Sequence, residues 1–167
     1  MRPSTSRTIA VAVVATFFLS SAVFAAGDQG DPVAQSRDGG KSVVLPFTKW
    51  ITADPGFPIT AGTVGGEAAG SISGEILVRQ LTTSKDIMRL EAVYEIDAGD
   101  HSFKALLQGG QNNQAGTGLL DGMILGGWHT GARLHVDYHI VSSCGQANAL
   151  NDTCFAGTIT IAPDPAG

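Results

Sequence analysis

A chain of 167 residues suits one domain and leaves little room for two. It is 43% hydrophobic and only 15% charged, which excludes a disordered tail, and its 22 glycines follow no period of three, which excludes collagen. Ten Lys and Arg stand against fifteen Asp and Glu, a net charge of −5 with no basic run, so the clustered cations that contact nucleic-acid phosphates are missing. Composition alone names no substrate.

At the N-terminus, Arg2 and Arg7 precede a mostly apolar stretch from Thr8 to Phe24, and Val23-Phe24-Ala25 offers small residues at a cleavage position. Residues 1–25 therefore read as a cleaved signal peptide. The competing reading is a membrane anchor, but the apolar stretch is about 17 residues, the short limit for spanning a bilayer. Cleavage removes two arginines and no acid, leaving a net charge of −7. No later stretch could cross a membrane as a helix, so the expected location is secreted or periplasmic. Residues 26–41 carry Gly, Asp, Gln and Ser without apolar periodicity and read as a flexible leader.

From about residue 42 to 162 the dominant hydrophobic period is two. Val43, Leu45, Phe47 and Ile51 line one side of a first strand. The glycine-rich run Gly56 to Gly70 has room for another strand with bends, and Ser71–Leu81 is a further one. In the next, Met88, Leu90, Ala92, Tyr94 and Ile96 oppose Arg89, Glu91 and Glu95, the alternation of a strand with one buried and one wet face. Asp97 to Asp100 makes a link; then Phe103, Ala105 and Leu107 alternate with Lys104 and Gln108. Gly109 to Gly116 reads as a separator, followed by a strand over Gly118–Trp128. His129-Thr130-Gly131 is a tight hairpin link to a strand in which Ala132, Leu134, Val136, Tyr138 and Ile140 oppose Arg133, His135, Asp137 and His139. Phe155–Ile161 is the last, and 163–167, with two prolines, is a tail that cannot continue a ladder.

Seven or eight strands in sequential hairpins, with no capped helical stripe, predict an all-β fold. Closure into an antiparallel barrel of about eight strands removes exposed edges, and in-strand Gly74, Gly122, Gly126 and Gly127 suit its corners. A two-sheet sandwich is the alternative. Cys144 and Cys154, the only cysteines, lie in the exported part and are expected to form a disulfide. It would close a short, turn-rich loop and contribute about 2–3 kcal/mol in the chain-entropy model. The reading of a hairpin staple is preferred to a redox pair, which usually has closer C-x-x-C spacing.

The segment GTGLLDGMILGGWHTGARLHVDYHI, followed by TCFAGTITI and preceded by GTVGGEAAGSISGEIL and LEAVYEI, resembles the bacterial relatives of the allene oxide cyclase and dirigent barrels. The resemblance rests on glycine spacing and strand rhythm over residues 42–161. It implies a calycin-like, eight-stranded barrel with an apolar cavity, assembly as a homotrimer, and activity without metal or organic cofactor. Such barrels hold a reactive small molecule in one conformation while it cyclises or isomerises. No catalytic motif of the family matches residue by residue.

An eight-stranded barrel has interior space for side chains or for one small ligand. Phe47, Tyr94, Phe103, Trp128 and Tyr138 are the pocket-lining candidates, against the plainer role of filling the core. Glu75 joins them in the register that turns it inward; the register with Ile76 and Val78 inside places it in water. His135, Asp137 and His139 alternate on one strand face, but the outer two Cα atoms are about 13–14 Å apart, so a solvated outer face is expected rather than a metal site. No nucleophile elbow or phosphate-binding loop occurs. Two functions remain. One is an exported barrel that binds a small apolar molecule and steers its cyclisation or isomerisation. The other is a non-catalytic carrier or protein-binding barrel with a packed interior.

Overall fold

A computed structural model describes residues 41–52 and 58–163. The expected signal segment, the leader up to residue 40 and the tail beyond Pro163 lie outside the described residues. Eight strands follow in chain order: β1 (Val43–Ile51), β2 (Ile59–Val64), β3 (Gly70–Leu81), β4 (Ile87–Asp97), β5 (Phe103–Asn112), β6 (Thr117–Gly127), β7 (Arg133–Val141) and β8 (Cys154–Ile161). Each pairs antiparallel with its chain neighbours, and β1 also pairs with β8, from Val43 opposite Ile161 to Trp50 opposite Cys154. The sheet is therefore a closed barrel. Closure rules out the sandwich, in which two sheets would leave free edges.

The alternation of apolar residues sets which face turns inward. Met88, Leu90, Ala92, Tyr94 and Ile96 of β4 are all buried, as are Phe103, Ala105 and Leu107 of β5, and Leu134, Val136 and Tyr138 of β7. Ile140, expected inside with them, is 37% exposed, because it lies at the barrel rim. The Gly109 to Gly116 separator also needs correction. Residues 109–112 continue β5, and the turn begins only after Asn112. Glycine lacks strand propensity, but at position 109 a side chain has no room: a Cβ there would lie 2.1 Å from the Leu119 carbonyl oxygen of β6. The glycine-rich run before β3 yields β2 and a 3-10 turn over Gly66–Ala68, as its bends require.

Large and small residues alternate around the interior. Across five consecutive strands run Gln111, Gly118, Tyr138, Gly157 and Phe47, each opposite the next. A second row runs Thr60, Gly74, Tyr94 and Ala105. Each ring lies over a neighbouring glycine, which is how a narrow barrel accommodates tyrosines across its lumen. One end is filled by Leu45, Ile72, Ile96, Phe103, Ile124, Leu134 and Ile161, all buried.

Cys144 and Cys154 are joined in a disulfide, with Cα atoms 6.0 Å apart. It ties the β7–β8 connection to the first residue of β8, the hairpin staple expected from the spacing. An oxidised pair is compatible with an extracellular or periplasmic location.

A Cβ at Gly118 would sit 2.1 Å from Cζ of Tyr138, whereas one at Gly126 of the same strand meets nothing within 4 Å. Gly118→Ala should therefore lose about 1–3 kcal/mol in denaturant unfolding. Gly126→Ala should stay within about 0.5 kcal/mol of the parent.

Candidate functional site

The half of the barrel away from that packed end contains a cavity of about 250 Å³. Every strand contributes to its wall. Lys49 and Ile51 come from β1, Thr60 from β2, Ile76 and Arg79 from β3, and Met88, Leu90, Ala92 and Tyr94 from β4. Gln111, Leu120, Tyr138 with Ile140, and Phe155 come from β5, β6, β7 and β8. Leu150, Asn151 and Thr153 of the β7–β8 connection complete it, so the disulfide anchors part of the wall. Arg79, Ile140 and Asn151 are exposed and mark the solvent margin.

Arg79 reaches this wall through a β-bulge. Ile76 is opposite Ala92, yet Arg79 is opposite Leu90, and both partners are buried. Cross-strand partners share a face, so the extra residue between Ile76 and Val78 shifts the phase of β3 and brings Arg79 to the inner side at the margin. Its Nε donates to Sδ of Met88 at 3.3 Å.

The chemistry of the cavity centres on Lys49. Alternation along β1 points Leu45, Phe47 and Lys49 inward, and Lys49 is only 4% exposed. Its Nζ donates to the hydroxyl of Tyr94. Four rings surround the amine: Tyr94 with its centroid at 4.2 Å, Tyr138 at 5.2 Å, Phe155 at 5.4 Å and Phe47 at 5.8 Å. No carboxylate lines the cavity among the described residues.

Two effects oppose each other here. Ring faces attract a cation, by about 0.5–2 kcal/mol for a close contact. Removal from water disfavours the ammonium far more, and burial pulls the Lys49 pKa down from 10.5 to about 7. That fall corresponds to about 5 kcal/mol in favour of the neutral amine. Desolvation wins, and near neutral pH the cavity holds a large fraction of free amine. Tyr138 is pushed the other way: burial raises its pKa, so it stays a neutral phenol. Its hydroxyl donates to Oε1 of Gln111 at 3.0 Å, and Nε2 of Gln111 donates to Oδ1 of Asn113 at 2.8 Å.

The residues singled out from sequence divide between two places. Tyr94 and Tyr138 line the cavity. Phe47 lies in the core beside the amine without reaching the wall, and Phe103 is buried in the core and touches Trp128, with ring centroids 6.4 Å apart. Trp128 does not line the cavity. It follows the last residue of β6, packs half-buried against the edge of the core and stacks on His101 with ring centroids 4.4 Å apart. Glu75 is exposed, in the register that places Ile76 inside. His135, Asp137 and His139 are exposed on the outer face, where Nδ1 of His135 lies 2.8 Å from Oδ1 of Asp121.

Lys49, Thr60, Gln111 and Arg79 were not singled out. For Lys49 the signal was present: it is the fourth member of the run Val43, Leu45, Phe47, Lys49, Ile51. Gln111 was hidden by the glycines that made its segment look like a loop, and Arg79 by a bulge that no periodicity reveals. No family model, curated protein or solved structure matches the chain.

The buried amine predicts a pH dependence of stability. Between pH 7 and pH 10 the unfolded chain holds the Lys49 proton and the folded chain does not, so stability rises with pH across that window. Above pH 10, Tyr138 acts in the opposite sense, since only the unfolded chain loses its phenolic proton there. Lys49→Met should flatten the rise between pH 7 and 10 and stabilise the protein at pH 6, by on the order of a few kcal/mol. Thermal unfolding of both proteins across this range checks the slope.

Proposed function

We propose that this barrel is an exported protein that binds one small, mainly apolar molecule in the cavity around Lys49. The observation that carries this reading is the cavity itself. A purely structural or protein-binding barrel would fill its lumen, and one half of this one is filled; the other half keeps about 250 Å³ lined by Met88, Leu90, Leu120 and aromatic rings. That volume is just below the usual range for ligand pockets of about 300–1,000 Å³, so the ligand is compact. The few polar groups, the Lys49 amine and the hydroxyls of Tyr94 and Tyr138, converge on one region and would orient a single polar function on an otherwise apolar body.

Export is supported by the basic and apolar N-terminal pattern and by the oxidised cysteine pair. The resemblance to allene oxide cyclase and dirigent barrels adds a reaction type. A dry pocket that confines a flexible molecule near its reactive conformer accelerates ring closure or isomerisation by lowering the entropy cost of reaching it. The same resemblance carries the homotrimer, for which the exposed Leu119, Met123 and Leu125 of β6 offer an apolar surface.

Titration with 2-naphthalenemethanol, followed by its fluorescence, should show saturable binding with one site per chain. Ala92 is fully buried on the cavity wall, and Ala92→Leu should weaken that binding by about tenfold or more while circular dichroism stays unchanged. Native mass spectrometry of protein recovered from its own host's medium should show a small co-purifying molecule. Absence of saturable binding, or equal binding by the filled variant, would overturn the reading.

A further inference from the structure

A buried amine with no anion beside it among the described residues is costly, and nothing in the barrel's architecture requires one. β1 needs only an apolar residue between Phe47 and Ile51. Among the described residues the amine has one hydrogen-bond partner, the Tyr94 hydroxyl, and rings of Tyr94, Tyr138 and Phe155 lie around it. Among the described residues, the charged and titratable groups on the cavity wall besides Lys49, from every strand packed around it, are Tyr94 of β4, Tyr138 of β7 and, at the solvent margin, Arg79 of β3. None is an anion that would hold Lys49 as a permanent ammonium. A carboxylate ligand would require the protonated amine that this environment disfavours. A neutral amine facing an apolar space is instead a nucleophile.

We propose that Lys49 forms a reversible imine with a small apolar aldehyde or ketone admitted to the cavity, with the Tyr94 hydroxyl carrying the protons. This deepens the reading of the cavity as a small-molecule site and rests on it. The Nζ lone pair attacks the carbonyl carbon, a C–N bond forms, and the C=O π pair moves to oxygen. That oxygen takes the Tyr94 proton, and the phenolate recovers one from the new ammonium, leaving a neutral carbinolamine. The nitrogen lone pair then expels the hydroxyl, which takes the Tyr94 proton again and departs as water. The phenolate removes the last N–H proton to leave the neutral imine. One amine and one carbonyl give one imine and one water, with no oxidant or reductant. Apolar walls hold the carbonyl compound's body and disfavour return of water to the C=N bond.

The chain contains its own internal standards. Lys41, Lys85 and Lys104 are exposed, and Lys49 is the only other lysine. The full chain is incubated with 2-naphthaldehyde and sodium cyanoborohydride, then digested and mapped by mass spectrometry. We expect a single naphthylmethyl group, concentrated at Lys49. Labelling of Lys49 should rise from pH 5 to pH 8 as the buried amine loses its proton. Tyr94→Phe should slow trapping by about tenfold or more at saturating aldehyde. The alcohol cannot form an imine, so it separates the two ideas. Saturable binding of the alcohol with no preferential labelling of Lys49 overturns the imine and leaves the cavity reading intact. Failure of both ligands overturns both. Tighter binding of 2-naphthoic acid than of the aldehyde, without covalent capture, would identify a carboxylate site and also overturn the imine.

Discussion

Closure of the sheet is the constraint from which the rest follows. Once β1 pairs with β8, the circumference is set and no strand can move outward to relieve crowding. The lumen must then be solved by side-chain volume alone. At one end, branched aliphatic residues and Phe103 fill it. Around the middle, tyrosines fit only because glycines stand opposite them, as Gly118 and Gly157 do for Tyr138 and Gly74 does for Tyr94. Beyond those rings the side chains no longer meet across the axis, and the cavity is the volume left over.

That geometry also decides the electrostatics. A lysine on an open sheet would extend its amine into water along an apolar stem. Lys49 cannot, because closure turns its face toward the barrel axis and the strand leaves it in the interior. Its amine is left among rings with a phenol as its hydrogen-bond partner. The resulting loss of hydration outweighs the attraction of the rings and brings the pKa of the amine down to about 7. The same burial keeps Tyr138 protonated, so a neutral phenol shares the cavity with the Lys49 amine.

Much of the fold was legible because one buried face per strand imposes period two on the residues. β4 shows this most clearly, with five inward residues in strict alternation, and β5 and β7 repeat it over shorter runs. Legibility failed where backbone geometry overrides composition. The end of β5 is a strand although it contains Gly109 and Gly110, since close approach of β6 excludes side chains there. The bulge in β3 inverts the phase for Arg79, and no spacing marks where an extra residue is absorbed. Tyr94 and Tyr138 were identified as pocket candidates, whereas Trp128 falls beyond its strand, where alternation no longer applies.

By itself the sequence determined the class of fold, the inward faces of the long strands and the pairing of its two cysteines, because these depend on local periodicity and on a simple count. It also held the position of Lys49 within an apolar run. Only the tertiary structure decided that the sheet closes, which half of the lumen is empty, and that an amine, two phenols and an amide meet there. Those outcomes depend on contacts between strands far apart in the chain, such as Lys49 with Tyr94 and Tyr138 with Gln111, and on volumes that no single strand contains.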